Sequence, residues 1–260
     1  MARLAAEGRR VVLAMATDGS AGLTSASELG SHTLAAVRRE ELIASARRLG
    51  VQRLEFLGYL DSGLRGDGGS SMDGGSSMAG GSSMPGMAGV EPATFAQVDV
   101  DLAASRLVDL LVEERAGLLV GYDAAGGYGH PDHVQVHRVA RRAVERRPGT
   151  RLLEATLPRE PLAGAVRAAS RTSRFVPALR GLDPEVWARA NTPRADITYR
   201  VNVRPFTDQK RAALASHASQ QSGEEGDLRT VQALLRLPRP LFRLLLGWEW
   251  YVDASSLGRR

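Results

Sequence analysis

Cysteine is absent from this chain of 260 residues, which excludes disulfides and thiolate metal ligands. Any metal would therefore be held by histidine, aspartate, glutamate and water. Long apolar runs are absent as well. The most apolar segment, 241–252, is broken by Arg243 and Glu249 and falls well short of the roughly 20 residues that cross a bilayer. We expect no membrane span, and the lack of an apolar signal-peptide core predicts a cytoplasmic protein.

Lysine is nearly absent too, because Lys210 is the only lysine among the 34 basic residues. A net charge of +5 would suggest a nucleic-acid partner if the basic residues were clustered. The arginines are instead scattered among 29 acidic residues, and their excess is typical of codon bias. We therefore expect no nucleic-acid partner. With 43% hydrophobic and 24% charged residues, the composition is that of an ordinary globular protein.

Apolar segments of strand length alternate with amphipathic helical segments. The strand patterns lie at 11–17, 53–57, 118–122, 151–155 and 197–203, and the helical patterns at 33–49, 100–110, 134–147 and 207–219. Strands that alternate with helices of this length indicate βαβ crossovers. The sequence therefore predicts an α/β fold with a mainly parallel sheet, in a single domain over 1–260.

Two segments do not fit this alternation. In 67–89 the pentapeptide Gly-Gly-Ser-Ser-Met occurs three times at a period of six residues. Ordering so much glycine and serine is costly, which predicts a flexible surface insertion within the domain. Residues 157–194 contain several prolines and no clean period, so we expect a lid or a cap that faces the substrate.

The most informative motif is Gly-Gly-Tyr-Gly-His-Pro-Asp-His at 126–133, between a predicted strand and a predicted helix. Its glycines allow a tight turn, and open α/β folds bind ligands at the carboxyl edge of the sheet. His130, Asp132 and His133 are therefore candidate metal ligands. His137 lies one helical turn beyond His133 and could in principle chelate the same metal.

This motif and several weaker ones occur together in the order found in one family. The matching segments are 16–22, 38–41, 49–51, 58–63, 126–133, 210–214, 217–220 and 249–251. The chain resembles the PIG-L/LmbE-like N-deacetylases, zinc-dependent hydrolases of N-acetylglucosamine-containing compounds that include the mycothiol-pathway deacetylase and amidase. The resemblance implies a three-layer Rossmann-like fold. It also implies metal-dependent hydrolysis of an N-acyl amide, most simply N-acetyl, on a small-molecule amino-sugar conjugate.

The resemblance also implies roles for single residues. His133 becomes a ligand of zinc or of another divalent metal such as Fe2+, while His130 steadies the oxyanion and Asp132 orients His130. This division suits a neutral imidazole on the metal and a carboxylate that fixes a neighbouring tautomer. His137 becomes a packing residue or a support for the ligands. The residues expected to contact the substrate are Tyr128, Asp61 and His217.

One motif of the family, alanine-histidine-proline-aspartate-aspartate after the first strand, does not occur in the sequence. In the family it supplies two zinc ligands and the general base. Residues 1–10 resemble the end of the helix that follows this motif. The resemblance therefore predicts a true start upstream of Met1, with the first strand missing from the sequence as given. The alternative is a truncated or degenerate relative that only binds a sugar-like ligand.

Overall fold

The structure is a computed structural model that describes residues 1–17, 19, 34–63, 94–172, 190–220 and 226–255. The predicted insertion at 67–89 lies outside the described residues. Within these ranges, every helix is too short or too polar to cross a bilayer.

Strands and helices lie where the sequence predicts them along most of the described chain. The strands are β1 (Val12–Thr17), β2 (Arg53–Tyr59), β3 (Leu118–Tyr122), β4 (Arg151–Thr156), β5 (Tyr199–Asn202) and β6 (Trp248–Asp253). The helices are α1 (Ala2–Ala6), α2 (Leu34–Arg48), α3 (Val100–Glu113), α4 (Gly126–Gly129), α5 (Pro131–Arg146), α6 (Arg159–Thr172), α7 (Thr207–Ala215), α8 (Gly226–Arg236) and α9 (Arg239–Leu246). The predicted α/β class is confirmed.

Parallel pairing follows from the crossover helices. Strand β1 pairs in parallel with β2 across α2, and β3 pairs in parallel with β4 across α5. The C-terminal part adds a feature that the sequence did not indicate: β6 lies between β4 and β5 and runs antiparallel to both. The strands are therefore mixed in direction. The antiparallel pairing brings the start of β6 to the edge of the sheet at which β4 ends.

The described strands form two hydrogen-bonded sheets, β1-β2 and β3-β4-β6-β5. Among the described residues, no strand joins β1 to β3 by hydrogen bonds, so the two sheets are separate. Helix α3 connects the two sheets. At its C-terminus, Glu114 accepts hydrogen bonds from Arg10 and Arg53, which flank β1 and β2. Farther along α3, Arg106 donates to the carbonyl of Leu57 in β2.

The main core lies between α3 and α5. Phe95, just before α3, is 1% exposed and packs against Tyr59 with ring centroids 5.2 Å apart. Helix α5 also packs closely on β3, because a Cβ at Gly121 would lie only 3.3 Å from the Cβ of Ala140. A glycine in the strand thus allows the close approach. This packing fixes the N-terminus of α5 at the carboxyl end of β3.

The segment 157–194 shows no clean period in the sequence, but its first part is helical, because α6 occupies Arg159–Thr172. The prolines do not prevent this helix, since Pro158 precedes it and Pro161 lies in its first turn, where a missing N–H costs nothing. Ala163 and Val166 are buried at helical spacing. Residues 173–189 lie outside the described residues, so the lid remains a prediction there.

Candidate active site

The glycine motif forms the predicted turn from strand to helix. Strand β3 ends at Tyr122, residues 126–129 form the single turn α4, and α5 begins at Pro131. Gly126 has φ +62°, and a Cβ there would lie 2.8 Å from the backbone nitrogen of Val134. Gly127 has φ +69° and ψ −101°, a conformation that favours glycine. The glycines therefore bend the chain back so that the next side chains gather at the sheet edge.

His130 is the N-cap of α5. Its Nδ1 accepts the backbone N–H of Asp132 at 3.2 Å, which satisfies one of the free donors of the first turn. Because Nδ1 is an acceptor, a neutral His130 carries its proton on Nε2. The capping geometry thus sets the tautomer and leaves an N–H donor at the other side of the ring.

His133 lies one turn into the same helix, half-buried between aromatic rings. It stacks on Tyr122, with centroids 4.0 Å apart and planes 8° from parallel. Its Nδ1 lies 3.2 Å from the carbonyl oxygen of Gly126, so Nδ1 is the donor and Nε2 keeps its lone pair. Burial lowers the pKa of His133, and the nearby His130 lowers it further. The ring is therefore favoured in its neutral form.

Asp132 and Asp61 meet next to His130. Asp132 is 5% exposed; its Oδ2 accepts the N–H of Ser62 at 3.1 Å, and its buried Oδ1 has no hydrogen-bond partner among the described residues. One ligand atom each from Asp61, His130 and Asp132 lies within 4.8 Å of the others. Burial raises the pKa of Asp61, and the negative charge of Asp132 contributes to that rise. This trio can exchange a proton or bind a cation.

Tyr128 completes the cluster. Its ring meets the imidazole of His130 edge-on at 6.1 Å and that of His133 edge-on at 5.4 Å, measured between centroids. The two imidazole centroids are 5.0 Å apart. The structure thus brings five of the six residues named from the sequence to one place, the carboxyl edge of β3.

His217 is the sixth, and the structure records no contact between it and the other five. It follows α7 in a half-buried position, where burial lowers its pKa, Glu41 raises it and Arg38 lowers it. Glu41 in turn accepts hydrogen bonds from the backbone and hydroxyl of Ser219. His217 therefore belongs to the contact between α2 and the end of α7.

His137 does not point toward this cluster. Its Nδ1 lies 3.2 Å from a carboxylate oxygen of Glu154 and 3.3 Å from the carbonyl oxygen of Tyr122. The side chain is 13% exposed and packs over β3 and β4. This geometry agrees with the expectation of a packing residue.

Sequence reasoning missed the residues that hold the glycine turn in place. Asp123 directly follows β3 and accepts hydrogen bonds from Gly127, Thr156 and Thr192. Asn191 donates its backbone N–H to the carbonyl of Gly127. An aspartate at the boundary between a strand and a glycine turn was a usable signal for Asp123. Nothing in the sequence pattern marks Asn191.

Comparison with known proteins decides the family. A family model described as PIG-L, GlcNAc-PI de-N-acetylase, matches residues 1–144. This chain belongs to the PIG-L family. Its relatives include the 1D-myo-inositol 2-acetamido-2-deoxy-alpha-D-glucopyranoside deacetylase of Acidothermus cellulolyticus, which is 36% identical over 237 residues that cover 85% of this chain and 73% of that protein. The deacetylase of the same name from Thermobispora bispora is 32% identical over 289 positions that cover 100% of this chain and 84% of that protein.

Solved structures support the fold of this PIG-L protein. The A40926 pseudoaglycone deacetylase Dbv21 superposes with a TM-score of 0.52 and 18% identity, over 97% of this chain and 89% of that one. A deacetylase of the teicoplanin biosynthesis pathway superposes with the same TM-score and identity, over 96% of this chain and 90% of that one. At this level of identity the likeness shows a shared fold.

The residues of this PIG-L chain fit a divalent metal at the cluster. Metal-binding histidines commonly donate one ring N–H to a carbonyl or carboxylate and bind the metal through the other nitrogen, which is the arrangement of His133. Among the described residues, Asp61, His130 and Asp132 also place one ligand atom each within 4.8 Å of one another, a group that does not include His133. Imidazole and carboxylate ligands suit zinc and iron alike.

Proposed function

We propose that this protein hydrolyses the N-acetyl amide of a small N-acetylglucosamine-type conjugate in a metal-dependent reaction. The observation that carries the proposal is the convergence of Tyr128, His130, Asp132 and His133 at the carboxyl edge of β3. Burial lowers the pKa of His133, and a hydrogen bond to Gly126 orients its ring. The family and the names of the relatives, which refer to an inositol-linked acetamido sugar, support the reaction type.

The metal is assigned to His133 through Nε2, and we infer zinc or iron(II). A bound divalent metal supplies Lewis-acid polarisation of the amide carbonyl. The hydrogen bond from Nδ1 to Gly126 and the stack on Tyr122 hold the ring in one orientation, so little side-chain entropy is lost on binding.

His130 serves as the oxyanion donor. Amide hydrolysis places negative charge on the former carbonyl oxygen, and a preorganised donor stabilises that charge most in a partly dry site. The Nε2–H of His130 is such a donor, because Nδ1 is held by the N–H of Asp132.

The substrate is bound by residues around this centre. The Tyr128 ring lies against both imidazoles, and the Asp61 carboxylate, which can accept hydrogen bonds from sugar hydroxyls, lies beside His130. We include His217 as a substrate contact for the more distant part of a conjugate. Replacing it by alanine should therefore raise KM and leave kcat unchanged, whereas a lowered kcat at unchanged KM would contradict this role.

The decisive experiment measures acetate release and bound metal on the same samples. The substrate is the inositol-linked N-acetylglucosamine named for the relatives, with free N-acetylglucosamine for comparison. In the wild type we expect about one zinc or iron per chain. We also expect one acetate released for each substrate molecule consumed. His133→Ala should lose both. His137→Ala is the matched control, because it removes an imidazole one turn farther along α5 that faces Glu154, and it should keep both.

Two outcomes would contradict the proposal. If His133→Ala releases acetate at the wild-type rate, His133 is not the metal ligand. If the wild type releases none but binds the substrate by calorimetry, the protein is the non-catalytic sugar binder. That second function is favoured by one sequence observation, the single His-Pro-Asp run at 130–132.

A further inference from the structure

Asp123 is a buried carboxylate that the reaction described above does not use. It lies directly after β3 and is 2% exposed. Its Oδ1 accepts the backbone N–H of Gly127 at 3.1 Å, and its Oδ2 accepts the hydroxyls of Thr156 and Thr192. The Thr156 hydroxyl accepts the backbone N–H of Thr192 in return. The carboxylate thus ties together the ends of β3 and β4, residue 192 and the glycine turn.

The other side of Gly127 is held as well. Its carbonyl accepts the backbone N–H of Asn191 at 3.3 Å. Asn191 is 5% exposed with φ +64°, and its own carbonyl accepts the guanidinium of Arg159 at 2.6 Å. The backbone N–H and carbonyl of Gly127 are therefore both held, the first by Asp123 four residues earlier and the second by Asn191 from a distant part of the chain. Glycine can adopt φ +69° and ψ −101° without strain, and these two hydrogen bonds select that conformation from the many open to it.

The charge of Asp123 has no cationic partner among the hydrogen bonds and ion pairs of the described residues. Burying a carboxylate is costly, and neutral donors offset only part of that cost. Thr156 and Thr192 could bond to each other without it, since their hydroxyl oxygens are 3.0 Å apart. What the carboxylate adds is the acceptor that holds the N–H of Gly127.

We propose that Asp123, supported by Thr156, Thr192 and Asn191, is a positioning residue that holds the glycine turn and so places Tyr128 and His130 for the reaction. Gly127 is one residue before Tyr128 and three before His130. A misplacement of about 1 Å at a reacting group can cost about 100-fold in rate. This inference rests on the proposed deacetylase function.

The test compares Asp123→Ala with Asp123→Asn. The alanine variant removes the acceptor for the Gly127 N–H, and we expect kcat to fall about 100-fold with KM changed less than about threefold. The asparagine variant can keep its amide oxygen toward Gly127 and its amide NH2 toward the threonine hydroxyls. It should therefore recover most of the lost kcat.

Hydrogen exchange supplies a readout that does not depend on activity. Amide exchange in residues 124–130 should speed up in Asp123→Ala, while exchange in α3 stays at the wild-type rate. Asp253→Ala is the matched control. It removes another buried carboxylate, 6% exposed and paired with Arg151 away from the turn. It should lower stability without changing kcat or exchange in residues 124–130.

The proposal is overturned if Asp123→Ala keeps kcat within twofold of the wild type, if exchange in residues 124–130 is unchanged, or if Asp253→Ala lowers kcat equally. Should Asp123→Ala fail to fold, Thr192→Val removes one hydroxyl of the same network with little change in shape, and the same two readouts apply. A wild type that releases no acetate refutes the proposed function, whereas the exchange measurement still decides whether Asp123 holds the turn.

Discussion

Replacing Gly126 by alanine should destabilise the protein through two separable effects. The first is backbone strain, because Gly126 has φ +62° and an L-residue in this region costs about 1–2 kcal/mol. The second is steric. A Cβ would lie 2.8 Å from the backbone nitrogen and 2.9 Å from a side-chain methyl of Val134, and 3.1 Å from the carbonyl carbon of His133. The first turn of α5 cannot yield easily, because its backbone is hydrogen-bonded.

The magnitude follows from these two effects and one offset. Overpacking of a well-filled site costs typically about 1–3 kcal/mol. Alanine also reduces the entropy of the unfolded chain, which returns about 0.4–1 kcal/mol. The expected net loss in the free energy of unfolding is about 2–4 kcal/mol. For a protein of this size that corresponds to a Tm lower by about 5–12 °C.

Gly8→Ala is the matched control for this prediction. Gly8 has φ +73°, but nothing lies within 4 Å of a Cβ placed there. The control carries the same strain and the same unfolded-state effect, so its net cost should be about 0–1.6 kcal/mol. Urea unfolding followed by circular dichroism measures the free energy of unfolding of both variants. The comparison is valid when the two m-values, the slopes of that free energy against urea concentration, are equal. If their stabilities differ by less than about 0.5 kcal/mol, the steric argument at Gly126 is refuted.

Three further predictions concern the core, the acid limit and the metal. Phe95→Ala should lower the free energy of unfolding by about 3–5 kcal/mol, whereas the exposed Leu102→Ala should change it by less than about 0.5; equal losses would contradict the core assignment. Hydrogen bonds from Arg10 and Arg53 lower the pKa of Glu114 from 4.5 to about 2. The folded-state pKa is the lower one, so this stabilisation is present above pH 4.5 and is lost as the pH falls toward 2. Wild-type Tm should therefore drop more steeply over that window than Tm of Glu114→Gln, and parallel curves would refute the contribution. Finally, a chelator should abolish acetate release and one equivalent of zinc or iron(II) should restore it; release that persists without metal would exclude metal dependence.

Local sequence patterns were sufficient to predict a helix or strand where the hydrophobic periodicity of the segment matches the face that it buries. Strand β3 occupies the predicted residues Leu118–Tyr122, and α5 (Pro131–Arg146) covers the predicted helix 134–147 with a start three residues earlier. The helix at the start of 157–194 was missed for a local reason, since the prolines concealed the helical spacing of Ala163 and Val166. The antiparallel strand β6 was not recognisable, because its partners β4 and β5 are set by tertiary packing.

The candidate site shows the same division. Tyr128, His130, Asp132 and His133 lie within six consecutive residues, so a motif alone could name them. The family resemblance implies separate roles for the two histidines, and the coordinates add a difference in their local geometry. Nδ1 of His130 accepts a backbone N–H, whereas Nδ1 of His133 faces a carbonyl oxygen, and only this difference gives one ring a free N–H donor and the other a free lone pair.

By itself, the sequence determined the α/β class, the family and the candidate site residues, because each depends on residue types at short spacing. Tertiary structure decided what holds them in place. Asp123 meets Thr156 and Thr192 across 33 and 69 residues, and Ser62 reaches Asp132 across 70. Contacts of that separation have no periodic signal, since they form only when the ends of the strands and the loops that follow them pack together at one edge of the sheet.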